Sequence, residues 1–338
     1  MGPGPRTARR APAAPMIHTR PVRSLGRRSF LHTLAGAIGF GASRRAFAEA
    51  PPPAFGADVL ASRTPPDLDV LDLTVPATNK LANRFTLYLP KHLAAGERVP
   101  LLVLFHGLGE TWNDEIGVHA WVQRYGLGNA YARLRRPPVA RTSLDRTLLS
   151  DVRIDVLNGS LALRPFKGVA VACPFTPNFA KQPDPAAALD AYAAWITDTV
   201  IPRARKEAPV FTDAAHTALD GVSLGGYVAA ELFVRRPAAF GAFGCVQAAF
   251  APEKLPSYAD RIAAAVATLP EGARSRVGVH IQTSALDAMF AVNVSLSSLL
   301  AKRGVANDLL VLPGNHDQLY LREAGALEML LWHDRRPR

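Results

Sequence analysis

The sequence predicts an α/β architecture: a mostly parallel central sheet with helices on both faces. Three observations predict it. Apolar runs at 99–105, 168–173, 217–219, 241–247, 277–283 and 308–312 have the length and composition of strands buried on both faces. Stretches with helical spacing separate them, the alternation that sets crossover helices against a parallel sheet. At one junction, His216 to Val228, an apolar run passes through Gly221-Val222-Ser223-Leu224-Gly225 straight into a helix.

In chain order, residues 1–48 are set apart from the fold as an export signal. Arg27-Arg28-Ser29-Phe30-Leu31, the weakly apolar stretch Leu34 to Ala42 and the small residues Ala46-Phe47-Ala48 resemble a bacterial twin-arginine signal, with Gly26 where that family often has Ser. The apolar run is far short of the ~20 residues that span a bilayer, so no stable membrane anchor is expected. The resemblance implies the twin-arginine export machinery as a partner and a periplasmic or secreted destination; Met1 and Met16 both remain open as the start. Of 39 basic residues, nine arginines lie in 1–48, which leaves 30 against 28 acidic ones. The basicity thus belongs to the signal, and a nucleic-acid-binding role is excluded.

Residues 49–66 form a Pro- and Ala-rich leader, and 67–338 one domain large enough for a full core. Val70 to Val75 and Arg84 to Leu89 predict two strands with an Asn-containing turn between them. Val99 to Phe105 is the first fully buried strand, and Trp112 to Tyr125 predicts a helix. Residues 126–166 exceed what a crossover needs and are expected to be an insertion. Inside it, alternating Val152, Ile154 and Val156 and then Leu161 and Leu163 flank Asn158-Gly159, which predicts a small hairpin, a candidate flap over the site. Gly168 to Cys173 is the next strand, and Ala186 to Arg205 a long helix broken near Pro202. Strands at 241–247, 277–283 and 308–312 alternate with helices at 258–269, 290–303 and 319–332. Cys173 and Cys245 fall on non-adjacent strands, so both are expected as buried free thiols.

The chemistry concentrates at one sheet edge. A serine between glycines on a sharp strand-to-helix turn presents its hydroxyl above the sheet, beside the free N–H groups of a helix N-terminus. To act as a nucleophile it needs a base and a carboxylate that orients the base. Asp287 follows the run 277–283 and His316 follows 308–312, so both leave the carboxyl ends of strands, as Ser223 does. Asp317 is the second choice for the acid, and Glu253 and Asp260 stay open. His106, His119, His216, His280 and His333 are expected to be structural. For the oxyanion, Leu224 supplies one backbone N–H and Leu108, in His106-Gly107-Leu108-Gly109, the other. His106, Gly107 and Trp112 are candidates to shape or line the substrate site, together with Trp121 and Phe175.

From about Leu71 to Trp332 the chain resembles the α/β-hydrolase fold esterases of the esterase D, enterochelin esterase and mycolyltransferase kind, with polyhydroxyalkanoate depolymerases and feruloyl or acetylxylan esterases as relatives. The matching pieces are Leu104-Phe105-His106-Gly107, Gly221-Val222-Ser223-Leu224-Gly225-Gly226, Asp287 and Pro313-Gly314-Asn315-His316-Asp317. The resemblance implies a carboxylic-ester hydrolase acting on a small or polymer-linked ester, with no metal or organic cofactor. Transfer of the acyl group to a sugar hydroxyl remains the alternative. A peptidase of this fold is the weaker one, since the chain has no room for a propeller domain. A ligand-binding protein without catalysis would require a missing triad member, and none is missing.

Overall fold

The structure, a computed structural model, describes residues 63–75, 81–142 and 147–336. The segment read as an export signal and most of the expected leader lie outside these. The end of the leader is packed, with Pro65 buried where Gly128 approaches it.

Strands β1 (Leu68–Thr74), β2 (Arg84–Pro90), β3 (Leu101–Phe105), β4 (Ala170–Pro174), β5 (Thr217–Gly221), β6 (Ala242–Val246), β7 (Gly278–Ser284) and β8 (Asp308–Leu312) form one sheet in the order β1-β2-β4-β3-β5-β6-β7-β8. The β1–β2 and β2–β4 pairs are antiparallel, and every pair from β4 to β8 is parallel. The runs of β3 to β7 therefore become the parallel core, as strands covered on both faces require, whereas β8, expected to be buried as well, is the edge strand and leaves Leu309 and Val311 exposed.

The helices are α1 (Asp114–Gln123), α2 (Leu127–Arg135), α3 (Asp151–Leu163), α4 (Pro185–Trp195), α5 (Ile201–Glu207), α6 (Leu224–Arg235), α7 (Leu255–Ala267), the single turn α8 (Glu271–Arg274), α9 (Phe290–Lys302), the turn α10 (Gln318–Tyr320) and α11 (Ala326–Arg335). Alternate residues of β3 divide them into two layers. Leu101, Val103 and Phe105 join one core with residues of α4 to α7 and α9, while Leu102 and Leu104 join a second with α1, α2, α3 and α11. This is the α/β-hydrolase fold.

Two local expectations need correction. The hairpin expected around Asn158-Gly159 is the helix α3. Ser150 caps it by accepting from the Arg153 N–H, and Leu157 and Leu161, four residues apart, are buried together. Asn158 is spent on Val139, accepting from its N–H and donating to its carbonyl, so it makes no turn. The alternation read as strand came from Val152 and Val156, which face solvent. Arg153 binds Glu328, and Arg164 donates to the carbonyls of Asp334 and Arg335, which fastens both ends of α3 to α11. The second correction concerns Pro202. The helix does not break there; a wide turn over Ile196–Val200 carries α4 into α5 and absorbs the missing N–H.

Both cysteines are buried free thiols, Cys173 on β4 and Cys245 on β6, with β3 and β5 between them.

Candidate active site

β5 ends at Gly221, and Ser223 turns the chain into α6 with φ 56° and ψ −116°, a conformation a residue with a Cβ rarely adopts. The surroundings hold it there. Its N–H donates to the Val246 carbonyl at 2.9 Å, its carbonyl accepts from the Ala249 N–H at 3.0 Å, and the Val222 N–H donates to Phe105 at 3.2 Å. The flanking glycines are required by contact with backbone. A Cβ on Gly221 would lie 2.4 Å from the Gly225 carbonyl carbon, and one on Gly225 2.3 Å from the Phe105 oxygen.

Parallel strands bring six chain segments to one edge: those after β3, β4, β5, β6, β7 and β8. After β7, Asp287 is buried. Its Oδ1 takes the Met289 N–H at 2.8 Å and its Oδ2 the Thr283 hydroxyl at 2.9 Å. After β8, His316 places Nδ1 2.9 Å from Asp287 Oδ1, with its side chain 35% exposed against none for the carboxylate. A carboxylate only accepts, so Nδ1 carries the proton and Nε2 is left as the free acceptor.

After β3, the His106 ring is buried. The Thr176 N–H donates to its Nε2 at 2.9 Å, so its proton sits on Nδ1, which donates to the Gly107 carbonyl at 2.9 Å. Burial pushes its pKa down to about 4, and the ring is neutral. Both ring nitrogens are thus occupied within the chain, which ties the loop to Thr176 and leaves the ring no group to offer a substrate. Leu108 opens a short helical turn over Leu108–Glu110 and is part-exposed; Leu224 opens α6, so its N–H has no helical partner. A Cβ on Gly107 would be 3.9 Å from the Cβ of Ser223, which puts this loop beside the serine. Trp112 is exposed just beyond. Trp121 is not in the cleft at all: it is fully buried and donates to the Phe105 carbonyl at 3.1 Å. Phe175 is half-buried against the His106 ring.

The other candidates have structural partners. Asp317 caps α10 by accepting from the Tyr320 N–H, and Asp260 pairs with Arg303. His119 meets Asp72, His216 meets Asp213, and His280 and His333 share Asp220. Glu253 is exposed in a turn ahead of α7.

Three neighbours were not foreseen. The Gly107 N–H donates to the Tyr125 hydroxyl at 3.3 Å, which in turn donates to the buried carboxylate of Glu110. Burial raises the pKa of Glu110. A buried acid three residues past the His-Gly pair was the available signal. Gln247 is the third, read as the end of a strand, whereas β6 stops at Val246.

No protein-family model and no curated protein matches the sequence. The fold, however, matches solved structures. A ferulic acid esterase superposes with a TM-score of 0.55 at 19% identity over 80% of this chain and 98% of its own. The fluorophosphonate-binding serine hydrolase F of Staphylococcus aureus superposes with a TM-score of 0.52 at 15% identity over 79% and 99%. The feruloyl esterase module of Clostridium thermocellum, complexed with sinapinate, gives 0.51 at 15% over 81% and 92%. The chain is similar to these in fold.

Proposed function

We propose that the chain is a serine carboxylic-ester hydrolase, exported by the twin-arginine route. The observation that carries the reading is a serine at positive φ on a strand-to-helix turn, at the same sheet edge as a half-exposed histidine whose Nδ1 is held by a buried carboxylate. The names of the similar folds, esterases and a serine hydrolase, support the ester as substrate.

Ser223 Oγ attacks the ester carbonyl carbon while His316 Nε2 takes its proton. Asp287 keeps Nδ1 protonated and stabilises the imidazolium that forms. Negative charge gathers on the former carbonyl oxygen, where the N–H groups of Leu224 and Leu108 receive it, each donor worth roughly 2.7–4 kcal/mol. The C–O bond to the alcohol then breaks, and His316 returns the proton to the leaving oxygen. Water, deprotonated by the same nitrogen, releases the acid and frees Ser223. Every proton step runs through one imidazole, and none calls for a further group.

The test is hydrolysis of para-nitrophenyl esters from acetate to palmitate, with methyl ferulate, by the wild type and by Ser223→Ala. A chain-length optimum that vanishes in the variant supports the esterase. Activity retained in pure Ser223→Ala overturns it, and acyl transfer to an added sugar in place of free acid would make the chain a transferase.

A further inference from the structure

Only two non-glycine residues among those described have positive φ: Ser223 and Gln247, at 48°. Gln247 stands directly after β6, fully buried, in the turn Val246 to Ala249. A strained residue persists only where its surroundings over-determine it, and here they do. The Gln247 N–H donates to the Gln282 carbonyl at 2.7 Å. Asn293 brackets Ala248, accepting from its N–H at 3.1 Å and donating to its carbonyl at 3.0 Å.

This turn touches both halves of the site. Its backbone holds the nucleophile, through Ser223 N–H to Val246 and Ala249 N–H to the Ser223 carbonyl. Its side chain holds the base: Gln247 Nε2 donates to the Asn315 carbonyl at 2.8 Å and to Ser284 Oγ at 2.7 Å, and Ser284 Oγ donates on to the same carbonyl at 3.2 Å. Asn315 precedes His316 and Ser284 lies three residues before Asp287. The amide orientation is fixed, because the Asn315 carbonyl only accepts; a flipped amide would set oxygen against oxygen.

We propose that Gln247 is a positioning residue of the reaction, its amide setting the Asp287–His316 pair in register with Ser223. The proposal rests on the esterase reading above. Misplacement of a base by about 1 Å can slow a reaction of this kind by ~100-fold, and without the amide the His316 loop loses its bond from Gln247 and is left with the Leu286 N–H, Ser284 and Asp287 contacts on that side.

The experiment compares wild type, Gln247→Met and Gln247→Gly, reading kcat and KM on an ester substrate, the rate of fluorophosphonate labelling, and thermal unfolding. Methionine keeps the volume and removes the donors; glycine accepts the backbone conformation without strain and secures a folded variant. The expected result for both is a kcat reduced about 10- to 100-fold, KM within about twofold, and labelling slowed in the same proportion as kcat. Folded variants with kcat and labelling within about twofold of wild type overturn the proposal and leave the esterase intact. A wild-type chain that fluorophosphonate does not label at Ser223 overturns the esterase reading instead.

Discussion

Two imidazole–carboxylate contacts of the same length occur in this chain, in different surroundings. His316 Nδ1 lies 2.9 Å from Asp287 Oδ1, and His333 Nε2 lies 2.9 Å from Asp220 Oδ2, an oxygen that His280 Nδ1 also reaches at 3.2 Å. The first histidine is 35% exposed at the mouth of the sheet edge, whereas His280 and His333 are 2% exposed in the interior. Asp287 is held by one imidazole, the Met289 N–H and the Thr283 hydroxyl, which fix its orientation, leaving His316 Nε2 open. Asp220 is enclosed: burial would raise its pKa, but the hydrogen bonds from His280 and His333 outweigh that and hold it low. Burial drives His333 down to about 4, and its second nitrogen has no hydrogen-bond partner. A short contact to a carboxylate therefore does not make a base; an accessible second nitrogen does.

The largest expected effects follow from breaking the exposed pair. Ser223→Ala and His316→Ala should each lower kcat by about 10⁴-fold or more, and Asp287→Asn by roughly 10²- to 10⁴-fold through loss of the correct tautomer; all three should melt close to wild type. The buried pair should show the opposite pattern. Asp220→Asn removes the buried charge and sets an NH2 donor against either the two imidazoles or the Gly221 N–H. It should destabilise the chain by about 3 kcal/mol, read as a lower urea midpoint, while kcat per folded molecule stays within about threefold. If Asp220→Asn instead abolished activity in folded protein, the contrast drawn between the two pairs would fail.

Acid sharpens the same contrast. His106 and His333 stay neutral to about pH 4 in the folded chain, against 6.5 for an unburied imidazole. Between those values the unfolded chain binds more protons, so stability is complete above 6.5 and falls as the pH is lowered towards 4. Each histidine should contribute a loss of about 1.4 kcal/mol per pH unit at its steepest. Urea unfolding at pH 7 and pH 5 checks this, and His106→Gln, which keeps an acceptor for Thr176 without titrating, should flatten the slope. A slope unchanged by the substitution would contradict a neutral buried His106. The smallest effect is expected from Leu108→Ala. The donor there is backbone, so kcat should remain within about threefold.

How much of this was legible in the sequence depended on the range of the interaction. Strands buried on both faces announce themselves by composition alone, as β3 and β4 do; β8 at Asp308–Leu312 falls where the apolar run placed it but is an edge strand with Leu309 and Val311 exposed. Ser223, Asp287 and His316 were readable because parallel topology sends every strand end to one edge. The helix α3 was misread because Val152, Ile154 and Val156 happen to alternate with polar residues, while what decides the matter is the burial of Leu157 and Leu161 in a core shared with α2 and α11. The chain from Gly107 through Tyr125 to Glu110 and the reach of Gln247 to Asn315 join residues 15 and 68 positions apart. No local pattern encodes a contact of that kind; it appears only once the sheet edge is assembled.

The most direct measurement is intact-mass labelling with a fluorophosphonate probe, with the adduct mapped by peptide fragmentation in wild type, Ser223→Ala, His316→Ala and Asp220→Asn. One adduct on Ser223, absent in the first variant, slowed at least about 10³-fold in the second and near normal in the third, is the predicted result. An adduct elsewhere, or labelling of Ser223 that does not depend on His316, would contradict a serine activated by the His316–Asp287 pair.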